Sequence, residues 1–415
     1  MTSRLAWSLA VLICLMLSTN SAVGAEDAES TIWKAVTLED GSAAPGLDLV
    51  RAGAHVYGSE MRSSEGDIYV LENGVAKPVK LEDGSDLKGT VNGAQPVMGR
   101  LLANDEKSRT HIIDGETAHP LLDSDGKQAT LSLAPREWPG AVGPGEVNAP
   151  YLLNSRSTYY IDFEARKLLP TKKVEPGPNP RSFVVGGTMV LLSGTGEDSA
   201  CWYWNKTEPV AIRGFEVSVT DYKQVGDYLL KLGGPEYYFD GKKLKEVKTK
   251  TVASLWDGFM LGDCWVAFYS DEGEKKALAL KNGKASNWKP YKALQDSSYF
   301  AVSCGDCAML AGGGKLYKAT LSKAVEITLP GDLRFNWGDG LSATGYGEVA
   351  ALRCSRDRTQ SIVMIDAANK CHLLPTEDLR LREDAPLAVG QDGAYVTSAK
   401  TTEQKFATMF APAGG

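Results

Sequence analysis

The sequence predicts an all-β protein built from repeated four-stranded sheets. A short phrase, a glycine followed by an apolar strand, recurs along the chain at Gly187, Gly226, Gly262, Gly305, Gly347 and Gly393, with spacings of 39, 36, 43, 42 and 46 residues. Hairpin turns recur between these phrases, and no segment of useful length shows the 3.6-residue period of an amphipathic helix. A period near forty residues carried by strands is typical of a β-propeller.

The unit that begins near Trp256 shows how each repeat divides into four strands. Apolar residues at 259–261 and 264–269 predict the first two strands. Residues 277–280 predict the third strand and residues 285–288 the fourth, joined by a turn at Asn282-Gly283, because Asn-Gly is a strong hairpin signal. The same hairpin pattern is repeated near Gly74, Gly115, Gly241 and Asn369.

The number of blades and the closure of the ring follow from the first and last units. Nine copies of the phrase can be counted, but the third, near Tyr151, lacks its glycine. We expect eight blades, with seven or nine as alternatives, because nine-bladed rings are rare. The segment 32–38 is a strand without a local partner, and the last unit, at 393–399 and 406–410, is one strand short. We therefore predict that the N-terminal strand completes the last blade and closes the ring.

The first 25 residues have the pattern of a secretory signal peptide. Arg4 supplies positive charge, an apolar run extends from Leu5 to Leu17, and small residues follow at Ala22 to Ala25. Residues 26–415 then form the propeller domain. We expect a secreted, periplasmic or cell-surface protein, without membrane insertion because no other apolar stretch is long enough to span a bilayer.

Charge and cysteine content narrow the expected partners and covalent links. The chain carries 45 basic and 52 acidic residues, a net charge of −7, which gives no support for nucleic-acid binding. Six cysteines follow the signal segment, and an even number in an exported protein permits disulfides. We predict a disulfide between Cys354 and Cys371, which bracket one hairpin. The pair Cys304 and Cys307 precedes a strand rather than a helix, so a structural role is expected.

Over its mature length the chain resembles secreted β-propeller proteins in the broad sense. The resemblance rests on the repeat period and the hairpins, because no signature of a specific propeller family recurs. It implies a rigid ring with a ligand-binding face, and no family's catalytic residues can be transferred.

Few sequence motifs indicate a metal-binding or catalytic site. The four histidines, His55, His111, His119 and His372, have no metal-ligand spacing, so neither a metal nor a cofactor is predicted. No nucleophile motif has its required context.

One set of acidic and aromatic residues does recur, just before the innermost strands. Asp221 and Asp257 each stand five residues before their glycines, and Asp339 stands eight before Gly347. Trp256 and Trp337 are aromatic neighbours that could stack on a sugar or a cation. We predict that these five residues line one mouth of the central channel and bind a ligand, although turn formation also explains the aspartates.

The sequence favours a monomeric, non-enzymatic binding protein that presents one face to a glycan, peptide or protein. One alternative is a hydrolase or lyase acting on a carbohydrate or lactone, because paired carboxylates leave no local motif. A structural subunit of a cell-surface assembly is the other.

Overall fold

The fold is described from a computed structural model of the chain. It describes residues 32–133, 148–153, 158–174, 181–194, 200–212, 222–225, 228–231, 237–240, 243–247, 257–271, 274–294, 300–312, 314–331, 333, 343–356, 359–374, 379–381, 386–400 and 406–414. In these parts nearly all regular structure is β, with a 3-10 helix at Lys289–Leu294. Among the same residues, no helix is long and apolar enough to cross a membrane.

The strands form sheets whose neighbours in space are mostly neighbours in sequence, the topology of a β-propeller. Two short N-terminal strands come first: β1 (Lys34–Ala35) and β2 (Thr37–Leu38). Blades 1 and 2 and the strand between them are β3 (Leu47–Ala52), β4 (His55–Glu60), β5 (Ile68–Glu72), β6 (Val75–Pro78), β7 (Lys80–Leu81), β8 (Gly89–Val97), β9 (Arg100–Asp105), β10 (Thr110–Asp114) and β11 (Thr117–Pro120).

The middle of the chain supplies blades 3 to 6. Blade 3 contains β12 (Tyr151–Leu153), β13 (Thr158–Asp162) and β14 (Lys167–Pro170), and blade 4 contains β15 (Arg181–Val185), β16 (Thr188–Ser193), β17 (Ala200–Asn205) and β18 (Glu208–Ile212). Blade 5 contains β19 (Tyr222–Val225), β20 (Tyr228–Lys231), β21 (Tyr237–Phe239) and β22 (Leu244–Glu246), and blade 6 contains β23 (Asp257–Leu261), β24 (Cys264–Asp271), β25 (Glu274–Lys281) and β26 (Lys284–Asn287).

The last three blades complete the propeller. Blade 7 contains β27 (Phe300–Cys304), β28 (Cys307–Gly312), β29 (Lys315–Ala319) and β30 (Ala324–Ile327), and blade 8 contains β31 (Ala343–Tyr346), β32 (Val349–Arg356), β33 (Thr359–Ile365) and β34 (Cys371–Leu373). Blade 9 contains β35 (Leu379–Arg380), β36 (Leu387–Val389), β37 (Gly393–Lys400) and β38 (Phe406–Pro412). The four strands predicted for blade 6 are confirmed, including the turn at Asn282-Gly283.

The described residues form nine sheets, so the expectation of eight blades is wrong. The additional blade is the third, where Ala149 stands in place of the repeated glycine two residues before Tyr151. Its three described strands pair in simple antiparallel order. This unit is therefore a blade of its own rather than an insertion.

The hydrophobic core is divided among the spaces between successive blades. Blades 1 and 2 share one cluster around Tyr57, and similar clusters fill each following interface up to blades 8 and 9. The last cluster joins blade 9 to blade 1 through Tyr395, Phe410 and Leu47. Each sheet thus buries both of its faces against its neighbours, which a single sheet could not do alone.

The pairing predicted for the segment 32–38 is present in part, at Lys34–Ala35. In β1, Lys34 pairs antiparallel with Phe410 of β38, the last strand of blade 9. The chain then turns to blade 1, where β2 adds a parallel strand to the outer edge at β6. Closure of the ring by these pairings stays a prediction, tested below.

The predicted disulfide is absent, because Cys354 and Cys371 are both free thiols. Cys354 in β32 pairs with Ser361, whereas Cys371 in β34 pairs with Ile365. A whole strand, β33, therefore separates the two cysteines. Two strand spacings amount to about 9.5 Å, beyond the Cα separation of about 7 Å that a disulfide can bridge.

Candidate functional site at the entry end of the inner strands

In most blades the first strand contacts the first strand of the next blade, as β3 contacts β8 and β23 contacts β27, so these inner strands surround the axis. We call the N-terminal end of each inner strand its entry end and the C-terminal end its exit end. At the exit ends, the tight turns that lead into the second strands contact one another. The backbone N–H of Gly262 donates to the carbonyl oxygen of Gly305 at 2.7 Å, and that of Asp306 donates to Gly347 at 2.8 Å. Gly305 has a φ of +79°, and a Cβ there would lie 2.8 Å from the Gly347 nitrogen. This end is therefore closely packed, which leaves the entry end as the candidate binding face.

The five predicted ligand residues cannot all be located. Asp221, Trp256, Trp337 and Asp339 lie outside the described residues. Asp257 is the first residue of β23, the inner strand of blade 6, and pairs with Phe268. Its backbone therefore begins an inner strand at the entry end, and the ligand role of the five residues stays a prediction.

Asp48 is the acidic residue whose side chain can be described at this end. It is the second residue of β3, the inner strand of blade 1, and it is partly buried. Burial raises the pKa of its carboxyl group, and within the described parts of the chain no hydrogen bond or ion pair offsets that cost. A partly buried carboxylate without a donor is a position where a ligand's donor would be stabilising.

A bulge in the inner strand of blade 2 lies beside Asp48. Strand β8 shifts register between Thr90 and Gln95, so the residues between them leave the ladder with β9. Asn92 in this bulge is exposed. Ser59 is the cross-strand partner of Asp48. Its hydroxyl oxygen accepts a hydrogen bond from the backbone N–H of Val91 at 3.0 Å. Bulges often re-aim side chains beside binding sites, and this one brings Asn92 and Thr90 to the strand that neighbours β3.

Arg51 connects two blades that are not consecutive. From β3 of blade 1, its guanidinium donates to the carbonyl oxygen of Gly345 in blade 8 and lies 5.8 Å from the ring centroid of Tyr346. The short strand β36 of blade 9 contacts both β3 and β31. Arg51 therefore fixes a cation near the exit end of the inner strands. Sequence reasoning missed this residue, because nothing in the repeat pattern marks an arginine on an inner strand.

The histidines of blade 2 are structural in this geometry. His111 is buried and lies 3.2 Å from Asp105, whereas the more exposed His119 lies 2.9 Å from Glu82. Because His119 pairs with Ile112, the two imidazoles occupy opposite faces of the hairpin. In the described part of the chain, no three His, Cys, Asp or Glu side chains are placed to hold a metal ion.

Comparison with known proteins finds similarity at the level of fold. Neither family models nor curated proteins match the chain. Among solved structures, the β-propeller domain of the Trilobed protease from Pyrococcus furiosus is 11% identical, over 89% of this chain and 94% of that chain, with a TM-score of 0.32. A prolyl endopeptidase structure is 15% identical to this chain, over 86% of this chain and 53% of the endopeptidase chain, with a TM-score of 0.30. The WD40 domain of SCAP from fission yeast is 10% identical over 89% and 85%, with a TM-score of 0.25.

Proposed function

We propose that the protein is a non-enzymatic binding protein whose ligand meets the entry end of the inner strands. The observation that carries this proposal is Asp48, a partly buried carboxylate whose burial is not offset by any partner in the described regions. The ligand that best complements it offers hydrogen-bond donors or positive charge, as a glycan hydroxyl, a lysine or an arginine does.

The predicted residues Asp221, Trp256, Asp257, Trp337 and Asp339 belong to this proposal. Asp257 supports it by its position, since it begins the inner strand of blade 6 as Asp48 stands near the start of the inner strand of blade 1. Carboxylates around one mouth would raise the local negative potential, and tryptophans beside them would stack on a sugar ring. We also propose that the mature protein begins near residue 26, is exported and acts as a monomer.

The test is a binding screen of residues 26–415 against a glycan array and an array of basic peptides. For any ligand found, Asp48→Asn should weaken binding about tenfold, because a charge-assisted hydrogen bond becomes a neutral one. Asp67→Asn is the matched control, since Asp67 already pairs with Lys88 at 3.1 Å on the surface. Trp256→Ala and Asp257→Asn extend the test to blade 6.

Two results would overturn the proposal. Unchanged affinity in the folded Asp48→Asn variant would remove the entry end from the binding face. Recovery of the bound ligand in cleaved form would show that the protein is an enzyme, and mass spectrometry of the released ligand detects this directly.

A further inference from the structure

Among the described residues, four blades place a tyrosine against the following blade, where its hydroxyl group bonds to backbone at or beside the turn between that blade's two outer strands. We call these residues the latch tyrosines. The pairs and distances are Tyr57 with the Gly115 nitrogen (3.0 Å), Tyr151 with the Trp204 oxygen (2.8 Å), Tyr228 with the Gly283 nitrogen (3.4 Å) and Tyr395 with the Gly74 nitrogen (3.3 Å). Each phenol ring therefore fills the space between two blades and fixes the neighbouring hairpin.

Blade 6 has a cysteine at the latch position. Cys264 follows Gly262 by two residues, as Tyr395 follows Gly393. A thiol is much smaller than a phenol, and a cavity of about 510 Å³ lies beside it, between blade 6 and the outer turn of blade 7. Its lining is Cys264, Ala279, Lys281, Asn282, residues 284–288 and Leu321. This volume is within the usual range of small-molecule sites, about 300–1,000 Å³.

The apolar part of the lining suits an aromatic ring. Trp288 is buried beside the cavity, and its indole nitrogen donates to the carbonyl oxygen of Thr320 at 3.2 Å, which fixes the ring. Leu321 at the rim is 47% exposed, the highest value among the large hydrophobic residues described. Burial raises the pKa of the Cys264 thiol, which keeps this wall uncharged at neutral pH. A ring inserted between these residues would bury apolar surface that now faces the cavity.

The polar part of the lining suits an anion. The Lys281 ammonium is already paired with Asp263 at 2.9 Å. Lys284 lines the same cavity, is exposed and has no ion pair in the described parts of the chain. An unpaired ammonium at the rim of an apolar cavity favours a ligand with a carboxylate at one end of an apolar body.

We propose that this cavity is a binding site for a small aromatic carboxylate. The aromatic ring occupies the space that a latch tyrosine fills in other blades, and the carboxylate pairs with Lys284. The site is separate from the entry end of the inner strands, so it does not depend on the function proposed above.

The first experiment titrates the mature protein with 4-hydroxyphenylacetate and follows binding by calorimetry and by ligand-observed NMR. Cys264→Tyr should abolish binding because the new phenol fills the cavity, and the melting temperature should not fall, because a latch is added. Cys264→Ser, which keeps the cavity open, should bind within about twofold of the original protein. Asp48→Asn should bind the probe as the original protein does.

The second experiment tests the charge and does not depend on the folding of the tyrosine variant. Lys284→Gln should weaken binding of 4-hydroxyphenylacetate about tenfold but leave the weaker binding of 4-hydroxyphenylacetamide unchanged. Lys292→Gln, at an exposed lysine of the 3-10 helix, is the matched control. The proposal is overturned by no binding to the original protein at about 10 mM probe, by unchanged binding in a folded Cys264→Tyr variant, or by equal affinities for Lys284→Gln and the original protein.

Discussion

The interface between blades 9 and 1 differs sharply from the one between blades 6 and 7. At the first, Tyr395 is fully buried, stacks 4.8 Å from Phe410 and bonds through its hydroxyl group to Asp392 and to the Gly74 nitrogen. The hydroxyl of Thr397 also donates to the Leu47 carbonyl across the same interface, at 2.6 Å. At the second, Cys264 stands at the latch position, the buried Trp288 bonds instead to the Thr320 carbonyl beside the outer turn of blade 7, and a cavity of about 510 Å³ remains.

The difference follows from what holds each pair of blades together. Blades 6 and 7 are consecutive in sequence, so the chain itself limits their separation. Blades 9 and 1 are the two ends of the chain, and non-covalent contacts alone join them. Dense packing is therefore needed where the chain ends meet, whereas an internal interface tolerates a cavity that a ligand can use.

Removing the N-terminal segment should reduce the free energy of unfolding more than any other change proposed here, because this segment contacts blades 9 and 1. Deletion of residues 26–40 removes β1, β2 and the buried Trp33, whose indole nitrogen donates to the His372 carbonyl at 3.3 Å. If these contacts close the ring, the free energy of unfolding should fall by about 5 kcal/mol or more. Urea denaturation measures it, with deletion of residues 26–30 as the control. A loss below about 1 kcal/mol would contradict closure by this strand.

Truncating the side chains at the two latch positions, Tyr395 and Cys264, should show directly how much each interface contributes to stability. Tyr395→Ala should lower the free energy of unfolding by about 4 kcal/mol, because it leaves a large cavity and removes the donor to Asp392. Cys264→Ala should cost about 1 kcal/mol or less, since the thiol already borders open space. Both variants are compared in the same denaturation series, and equal losses would remove the distinction between the interfaces.

The sequence predicted this fold well where hairpin chemistry decides it. The strands of blade 6 follow from the Asn282-Gly283 turn and the phrase at Gly262, since both positions adopt positive φ that glycine and asparagine accept. The prediction of eight blades was wrong because Ala149 replaces the repeated glycine in the third blade. The predicted disulfide was wrong because spacing along the chain does not give the register across a sheet. The pairing order shows that β33 lies between β32, which carries Cys354, and β34, which carries Cys371.

A repeated sequence motif marks the outer edges of blades 1 and 2. Leu-Glu-Asp-Gly-Ser occurs at residues 38–42 and again at 81–85. Asp40 and Asp83 each accept the N–H and the hydroxyl group of the serine two residues on. The motif follows β2 and β7, the strands that add in parallel to the outer edges of blades 1 and 2. By contrast, the partners of Arg51 lie in blade 8, and the bulge near Asp48 lies in blade 2, so local sequence could not reveal either arrangement.

Removal of the Arg51 side-chain charge should test how far the contact between blades 1 and 8 supports the joint at blade 9. Arg51→Met keeps much of the apolar stem but loses the hydrogen bond to the Gly345 carbonyl. We expect the free energy of unfolding to fall by about 1.5 kcal/mol. Arg181→Met, at an exposed arginine in blade 4, should change it by less than about 0.5 kcal/mol. Equal effects would show that the Arg51 contact adds nothing to this joint.

The smallest effect should come from the interface between blades 7 and 8, where a lysine takes the role of the latch. Cys307 follows Gly305 by two residues, and the buried Lys318 donates instead to the carbonyl oxygen of Asp366 at 2.6 Å, beside the outer turn of blade 8. Burial lowers the pKa of Lys318, although the nearby Cys307, Glu348 and Asp366 act in the opposite direction. The folded protein therefore releases this proton at a lower pH than the unfolded chain, whose lysine titrates near 10.5.

As pH rises towards 10.5, unfolding must take up a proton at Lys318, so the original protein should become more stable relative to Lys318→Met. Between pH 8 and pH 10, the difference in unfolding free energy between the two should shift in favour of the original protein. Lys292→Met, at an exposed lysine of the 3-10 helix in blade 6, is the matched control. A constant difference across this range would mean that Lys318 is ordinarily solvated, and blades 7 and 8 would then lack the buried contact that blades 9 and 1 possess.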